Sequence, residues 1–206
     1  MSWRSTVTVA VVVGAVAFTA GRVFSQDAKG PDAPKAPSPE EMQKMMAEMS
    51  APAPEHAGIV AMAGTWDADV SMWMEPGAEA MKSKGVSKVT AINGGHYVMD
   101  QYESEFMGTK FTGLGVHGFS KEKKKYVAFW CDSMNTTPMT LWGTADASGK
   151  VLTFDGEPMT CPMGGFTPRF VQKNEDADHY TFEMWSKYEG MGDYVKEMEI
   201  RYTRRK

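Results

Sequence analysis

Only two cysteines and four histidines occur among the 206 residues, which limits the kinds of site that the chain can build. Cys131 and Cys161 can form at most one intramolecular disulfide, and two free thiols are the alternative. No HExxH, paired CxxC, P-loop or GxSxG pattern is present. The sequence therefore lacks the signatures of zinc proteases, zinc ribbons, P-loop nucleotidases and α/β-hydrolases.

Basic residues are also in the minority. The chain has 22 Lys and Arg against 26 Asp and Glu, which gives a formal net charge of −4. A nucleic-acid-binding domain usually carries a basic patch or a clear basic excess. The charge therefore argues against a nucleic acid as a partner.

The apolar run near the N-terminus is too short for a membrane-spanning helix. It extends over the 15 residues from Thr6 to Ala20, whereas a bilayer requires ~20. Because the run follows Arg4 and leads to small residues, we interpret residues 1–25 as a secretory signal, cleaved after Ser25 or at the end of the run. An uncleaved anchor is the alternative. Cleavage removes Arg4 and Arg22, so the charge falls from −4 to −6, and we expect an exported chain without a membrane anchor.

Residues 26–54 have the composition of a linker, since they hold six of the eleven prolines. Within them, Ser38 followed by Pro39 and Glu41 predicts a helix with a capping box that ends near Met49. A second short helix is predicted over 55–62. The first helix carries a methionine stripe at i, i+3, i+4 and i+7: Met42, Met45, Met46 and Met49.

From Trp66 onward the apolar residues recur at every second position, which is the period of a β-strand. Asn93-Gly94 marks a tight hairpin turn. The predicted strands cover 66–74, 86–92, 97–106, 110–119, 125–134, 139–144, 151–157, 167–173, 180–187 and 194–203. About ten strands with short connections predict an all-β domain over 55–206, an antiparallel up-and-down barrel, because closure removes exposed edges. A two-sheet sandwich is the alternative.

Separated motifs in this region resemble the family called domain of unknown function 1579, over residues 54–204. They are Glu55-His56, Gly64-Thr65-Trp66, Gly94-Gly95-His96-Tyr97, the run Gly113-Leu114-Gly115-Val116-His117-Gly118-Phe119, Trp130-Cys131-Asp132-Ser133-Met134 and Tyr202-Thr203-Arg204. The resemblance implies a barrel like those of lipocalins and fatty-acid-binding proteins. It implies no reaction, since such families are uncharacterised.

Our leading hypothesis is a non-enzymatic binding protein whose barrel encloses one small hydrophobic molecule. Barrels of this size lie at the transition between a packed interior and a one-ligand cavity. His117 is predicted to be a core residue, or else a ligand-facing or haem-ligating one, and Asp132 either bonds a nearby turn or anchors a ligand with Arg169 or Arg201 as its partner. The candidate ligand-binding residues are Trp66, Tyr97, Phe111, His117, Trp130, Asp132, Trp142 and Trp185.

Three other functions stay open at this point. The first is a hydrolase or isomerase that uses Asp132 with His117 or His96 as acid and base on a small lipophilic substrate. The second is a copper-binding protein, since the methionine stripe and Cys161-Pro162-Met163 offer soft ligands. The third is an envelope scaffold whose linker and helix dock a partner. The sequence does not identify a cofactor, and the strand phase that decides which residues face inward is undetermined.

Overall fold

A computed structural model describes residues 36–162 and 164–206. The predicted signal peptide over residues 1–25, the first part of the linker at 26–35 and Met163 lie outside the described residues. The chain divides into two units, one ending at Ser50 and the other spanning Ala51–Lys206. Within the described ranges, no helix is both long and apolar enough to cross a membrane.

The first unit contains helix α1, Pro39–Ser50. Its start confirms the predicted capping box, because the Ser38 N–H donates to Glu41 Oε2 at 2.7 Å and the Glu41 N–H donates to Ser38 Oγ at 3.2 Å. Met45, Met46 and Met49 of the stripe are each at least half exposed. The helix therefore begins where its sequence directs, and none of its described residues is buried.

Among its described residues, the second unit has one α-helix, a short 3₁₀ helix at Asn93–Gly95 and eleven strands. Helix α2 spans Pro54–Ala61. The strands are β1 (Gly64–Met72), β2 (Met81–Ile92), β3 (Tyr97–Phe106), β4 (Thr109–Ser120), β5 (Lys125–Asp132), β6 (Met139–Ala145), β7 (Val151–Gly156), β8 (Met159–Cys161), β9 (Gly164–Asn174), β10 (His179–Tyr188) and β11 (Val195–Arg204).

Ten of these strands close into an antiparallel barrel, which confirms the predicted architecture. Strands β1 to β7 follow one another around the wall, β9, β10 and β11 complete it, and β11 pairs with β1. Strand β8 pairs only with the start of β9. It was not predicted, because three residues between Pro158 and Pro162 are too short to show an alternating pattern.

Fully buried side chains fix the phase that the sequence left open. Val98 on β3 and Leu141 on β6 have no exposed surface, so their strand neighbours Tyr97 and Trp142 must point outward. Around the barrel the same alternation directs Trp66 and Ala68 of β1 inward. The interior is thus defined residue by residue.

Helix α2 packs at one end of the barrel, where the β2–β3 and β4–β5 connections lie. Its buried Ile59 joins the core. Arg204 at the end of β11 attaches this helix to the barrel: its guanidinium donates to the carbonyls of Ala61 at 2.8 Å and Ala63 at 2.7 Å and lies 4.0 Å from the Trp66 ring. Arg204 thereby satisfies carbonyls at the C-terminal end of α2 that lack intrahelical partners.

Replacing this arginine should loosen the α2 end of the barrel. We expect Arg204→Met to lower the free energy of unfolding by about 2–3 kcal/mol, because it keeps the apolar stem but removes charge-assisted hydrogen bonds to otherwise unpaired carbonyls. Arg205→Met is the matched control, since Arg205 pairs with Asp67 while both side chains are about half exposed, and such pairs contribute less than ~1 kcal/mol. Urea denaturation measures both, and equal losses would contradict this role of Arg204.

Candidate functional site

Inside the barrel, the described residues line a mostly apolar cavity of about 210 Å³. Methionine and aromatic side chains make up most of its wall, with a few polar groups among them. The lining residues are Met62, Val70, Met72, Ser83, Asp100, Tyr102, Ser104, Phe106, Phe111, His117, Ala128, Phe129, Trp130, Met134, Met139, Phe170, Gln172, Tyr180, Phe182, Met184, Met198, Ile200 and Tyr202. A concave apolar space with few polar groups is the usual form of a small-molecule site.

Methionines also surround the end of the barrel opposite α2. Five exposed methionines lie there, in or beside the β1–β2, β3–β4, β5–β6 and β10–β11 connections, and we call them the methionine rim: Met74, Met81, Met107, Met134 and Met191. Unbranched, polarizable side chains adapt to irregular contacts. The rim therefore gives this end a flexible apolar border, and much of the methionine excess in the sequence lies here and in the cavity wall.

Asp100 is the charged group of the cavity wall. It lies on β3, is 9% exposed, and accepts a hydrogen bond from Ser87 Oγ at 2.5 Å. Burial raises the pKa of Asp100 to about 6, although the bond from Ser87 acts in the opposite direction. Near neutral pH the cavity thus contains a carboxylate, and in mild acid it contains a neutral carboxyl group.

His117 on β4 lies beside Asp100. Register pairs Asp100 with Gly115, so His117 is the diagonal neighbour of Asp100 on the inner face. Burial lowers the pKa of His117 to about 4, so the imidazole is neutral at physiological pH. The described residues offer it no hydrogen-bond partner, which leaves its ring nitrogens available to a molecule in the cavity.

Glycines on β4 make room for the aromatic part of this wall. A Cβ at Gly113 would lie 2.2 Å from Trp130 Cζ2, and one at Gly115 would lie 3.5 Å from Trp130 Cε3 and 3.4 Å from Asp100 Cβ. The indole of Trp130 therefore lies flat over bare backbone, next to the Asp100 side chain. A larger residue at position 113 would displace the ring into the cavity.

Three of the eight candidate residues face the cavity: Phe111, His117 and Trp130. Their role in binding a ligand stays a prediction, but their positions are compatible with it. They lie on adjacent strands, β4 and β5, and Tyr102 of β3 lies close to two of them, with ring centroids 6.0 Å from Phe111 and 6.4 Å from Trp130. This wall is the aromatic side of the site.

Two more candidates serve the structure of the barrel. Trp66 points inward at the α2 end, where its Nε1 donates to the Met62 carbonyl at 2.9 Å and its ring meets Tyr180 edge-on. Asp132 accepts from Trp130 Nε1 at 3.0 Å and from the N–H groups of Met134 and Asn135 at 2.9 Å. Asp132 thus holds the β5–β6 turn, as the first of its two interpretations expected.

The remaining three candidates, Tyr97, Trp142 and Trp185, lie on the outer face of the barrel. Tyr97 is 38% exposed and lies over Gly118, where a Cβ would lie 2.4 Å from its ring. Lys123 stands 4.4 Å above the Trp142 ring. Trp185 donates to Glu183 Oε2 at 3.1 Å. These three residues do not line the cavity, because each alternates with an inward residue on its strand. A role for them in binding a ligand stays a prediction.

The structure does not bring together the acid and base of the enzymatic alternative. Asp132 pairs with Gly113 near the rim, so His117 lies four residues further along β4, a distance of about 13 Å. His96 lies in the β2–β3 connection, at the opposite end from the rim, where its Nδ1 bonds the Asn93 carbonyl. Groups that share a proton must lie within hydrogen-bond reach or one water apart.

The structure tests the disulfide prediction, while copper binding by the methionine stripe stays a prediction. Cys131 on β5 and Cys161 on β8 are both free thiols, so the second of their two alternatives describes the structure. Among the described residues no three His, Cys, Asp or Glu side chains cluster as a metal site. Met163 of the Cys161-Pro162-Met163 motif lies outside the described residues.

The sequence of this domain also matches a family profile. A family described as a protein of unknown function, DUF1579, matches residues 51–204. The chain belongs to this family. No curated protein matches it. The family match confirms the resemblance that the glycine, tryptophan and histidine motifs suggested. The family description assigns no activity.

A solved structure from M. tuberculosis supports the barrel fold of this DUF1579 member. Rv2717c from M. tuberculosis is similar with a TM-score of 0.55 at 10% identity, over 76% of this chain and 100% of that one. A redesigned beta barrel is similar with a TM-score of 0.39 at 10% identity, over 72% of this chain and 96% of its own. At such low identity the likeness to Rv2717c concerns the barrel fold alone.

Proposed function

We propose that this protein binds one small, mostly apolar organic molecule inside its barrel, as an exported binding protein. The observation that carries the proposal is the cavity of about 210 Å³ with its apolar wall. An apolar cavity of about 150 Å³ in a protein stays dry and binds benzene. By the same measure this cavity suits a molecule of about eight to ten non-hydrogen atoms.

The methionine rim supports a route for the ligand. A closed barrel gives no access through its hydrogen-bonded wall, so a ligand must enter at one end. Helix α2, with the buried Ile59, covers one end. At the other end Met134 belongs both to the rim and to the cavity lining, and flexible thioether side chains can move aside without breaking hydrogen bonds.

A titration with a neutral single-ring probe such as ethylbenzene tests the proposal. We expect the methyl NMR signals of the cavity methionines Met139, Met184 and Met198 to shift with one common affinity, while those of Met45 and Met49 on α1 stay in place. Shifts on α1 alone, or none at any methionine, would contradict binding in the cavity. Export rests on residues 1–25, and N-terminal sequencing of the chain recovered outside the cytoplasm checks it.

A further inference from the structure

The Asp100 carboxyl is left without a cationic partner. It is nine-tenths buried, and Ser87 is the one hydrogen-bond donor that the described residues bring to it, at Oδ1. Its Oδ2 receives no such bond and is not sealed off by protein atoms, so it faces the cavity. An unpaired carboxylate in an apolar space is unfavourable until a donor or a cation reaches it.

The charge of the cavity wall favours cationic ligands over anionic ones. No lysine or arginine occurs among the described residues that line the cavity. A fatty acid or another organic anion would therefore place its negative charge next to the carboxylate of Asp100, with no cation to offset the repulsion. A cationic ligand would instead neutralise the one ionised group of the wall.

The other groups near Asp100 suit a cation as well. Besides burial, the charge of Asp100 raises the pKa of Tyr180 and Tyr202, so both phenols lie within its electrostatic reach. Trp130 and Asp100 flank Gly115. Aromatic faces attract cations, and the neutral imidazole of His117 adds an acceptor. The cavity thus offers a carboxylate, aromatic faces and an acceptor to one ligand.

We propose that the natural occupant of the cavity is a small organic cation, an ammonium group on a single-ring or short-chain apolar body, held by Asp100. This inference rests on the proposed function, because it names the ligand class of the same cavity. The ammonium donates to Asp100 Oδ2, and the apolar body fills the space lined by Ala128, Phe170 and Met139.

The effect of ligand charge on affinity can be measured with probes of nearly equal size that differ in charge. The cavity sets that size at about nine non-hydrogen atoms. We would titrate the purified protein with 2-phenylethylamine, 2-phenylethanol and phenylacetate at about pH 8, where the amine and Asp100 are both charged. The amine should bind about tenfold or more tightly than the alcohol, and phenylacetate should not bind. At about pH 5, where Asp100 is neutral, the advantage of the amine should disappear.

Asp100→Asn should weaken amine binding about tenfold or more and leave alcohol binding within about threefold. Asp69→Asn is the matched control, since Asp69 is an exposed carboxylate on β1 that pairs with Lys84, and it should change neither affinity. Equal affinity for amine and alcohol, or an unchanged amine affinity in Asp100→Asn, would overturn the amine assignment. The proposed function would survive either result, because the alcohol would still bind. If no probe bound to the folded protein, both the proposed function and the amine assignment would be wrong.

Discussion

Ala128→Phe is expected to abolish the binding of apolar probes. Ala128 is 4% exposed, lines the cavity, and lies between His117 on β4 and Leu141 on β6. The substitution adds a phenyl ring, which by itself is the size of a ligand for a cavity of about 150 Å³. We expect the affinity for ethylbenzene to fall at least about 100-fold, which corresponds to about 2.7 kcal/mol. Calorimetry or methionine-methyl NMR measures the loss.

The control for this prediction is Val127→Phe. Val127 lies next to Ala128 on β5 but on the outer face, opposite Trp142, so the same ring added there should leave probe affinity unchanged. Overpacking costs about 1–3 kcal/mol of stability, so thermal unfolding must first show that Ala128→Phe is folded. A folded Ala128→Phe with wild-type probe affinity would place the binding site outside the barrel.

The second large effect is a pair of opposite pH profiles of stability. Asp100 has a pKa raised from 3.8 to about 6, so it favours the folded state most below pH 4, and this contribution is lost as the pH rises through 6. His117 has a pKa lowered from 6.5 to about 4, so its contribution is present above pH 6.5 and is lost as the pH falls through 4. Each of these two contributions to the free energy of unfolding is on the order of 3 kcal/mol.

In the wild type these two contributions oppose each other between about pH 4 and 6, and single variants separate them. Relative to wild type, Asp100→Asn should gain stability as the pH rises from 4 to 6.5, because it lacks the buried carboxyl whose ionisation destabilises wild type over this range. Relative to wild type, His117→Gln should lose stability over the same range, because it lacks the imidazole whose deprotonation stabilises wild type. Urea denaturation at each pH gives the profiles, and surface carboxylates such as Asp67 affect all variants equally.

Asp69→Asn again provides the control, because its carboxylate is exposed on β1, and its profile should run parallel to that of wild type. If the stability profiles of Asp100→Asn and His117→Gln both ran parallel to that of wild type, the prediction would be contradicted, because neither group would then be shielded from water in the folded protein. The prediction would also be contradicted if, as the pH rises, the stability difference from wild type changed in the same direction in both variants.

Alternation and turn residues were enough to predict most of the fold. The boundaries of β3, Tyr97–Phe106, were predicted without error, and the Ser38 capping box located the start of α1. Both signals are local, since they depend on neighbours within a few residues. Closure into a barrel followed from strand number and short connections.

The inward face could not be predicted, because alternation alone gives two faces and does not say which is buried. Trp142 and Trp185 look like core residues by composition, yet Leu141 and Met184 beside them occupy the interior. Asp100 was missed for the same reason. Its alternation with Val98 and Tyr102 contained the signal, a carboxylate on an apolar face, but an acidic residue in a strand is more often exposed.

A crystal structure under xenon pressure tests the central claim, an apolar cavity that accepts a small molecule, most directly. Xenon enters dry apolar cavities and is located by its scattering. We expect one site inside the barrel, in the space lined by Ala128, Phe170 and Met139, and none in Ala128→Phe. An interior closed by repacked side chains, with xenon only on the outer surface or absent, would contradict the account.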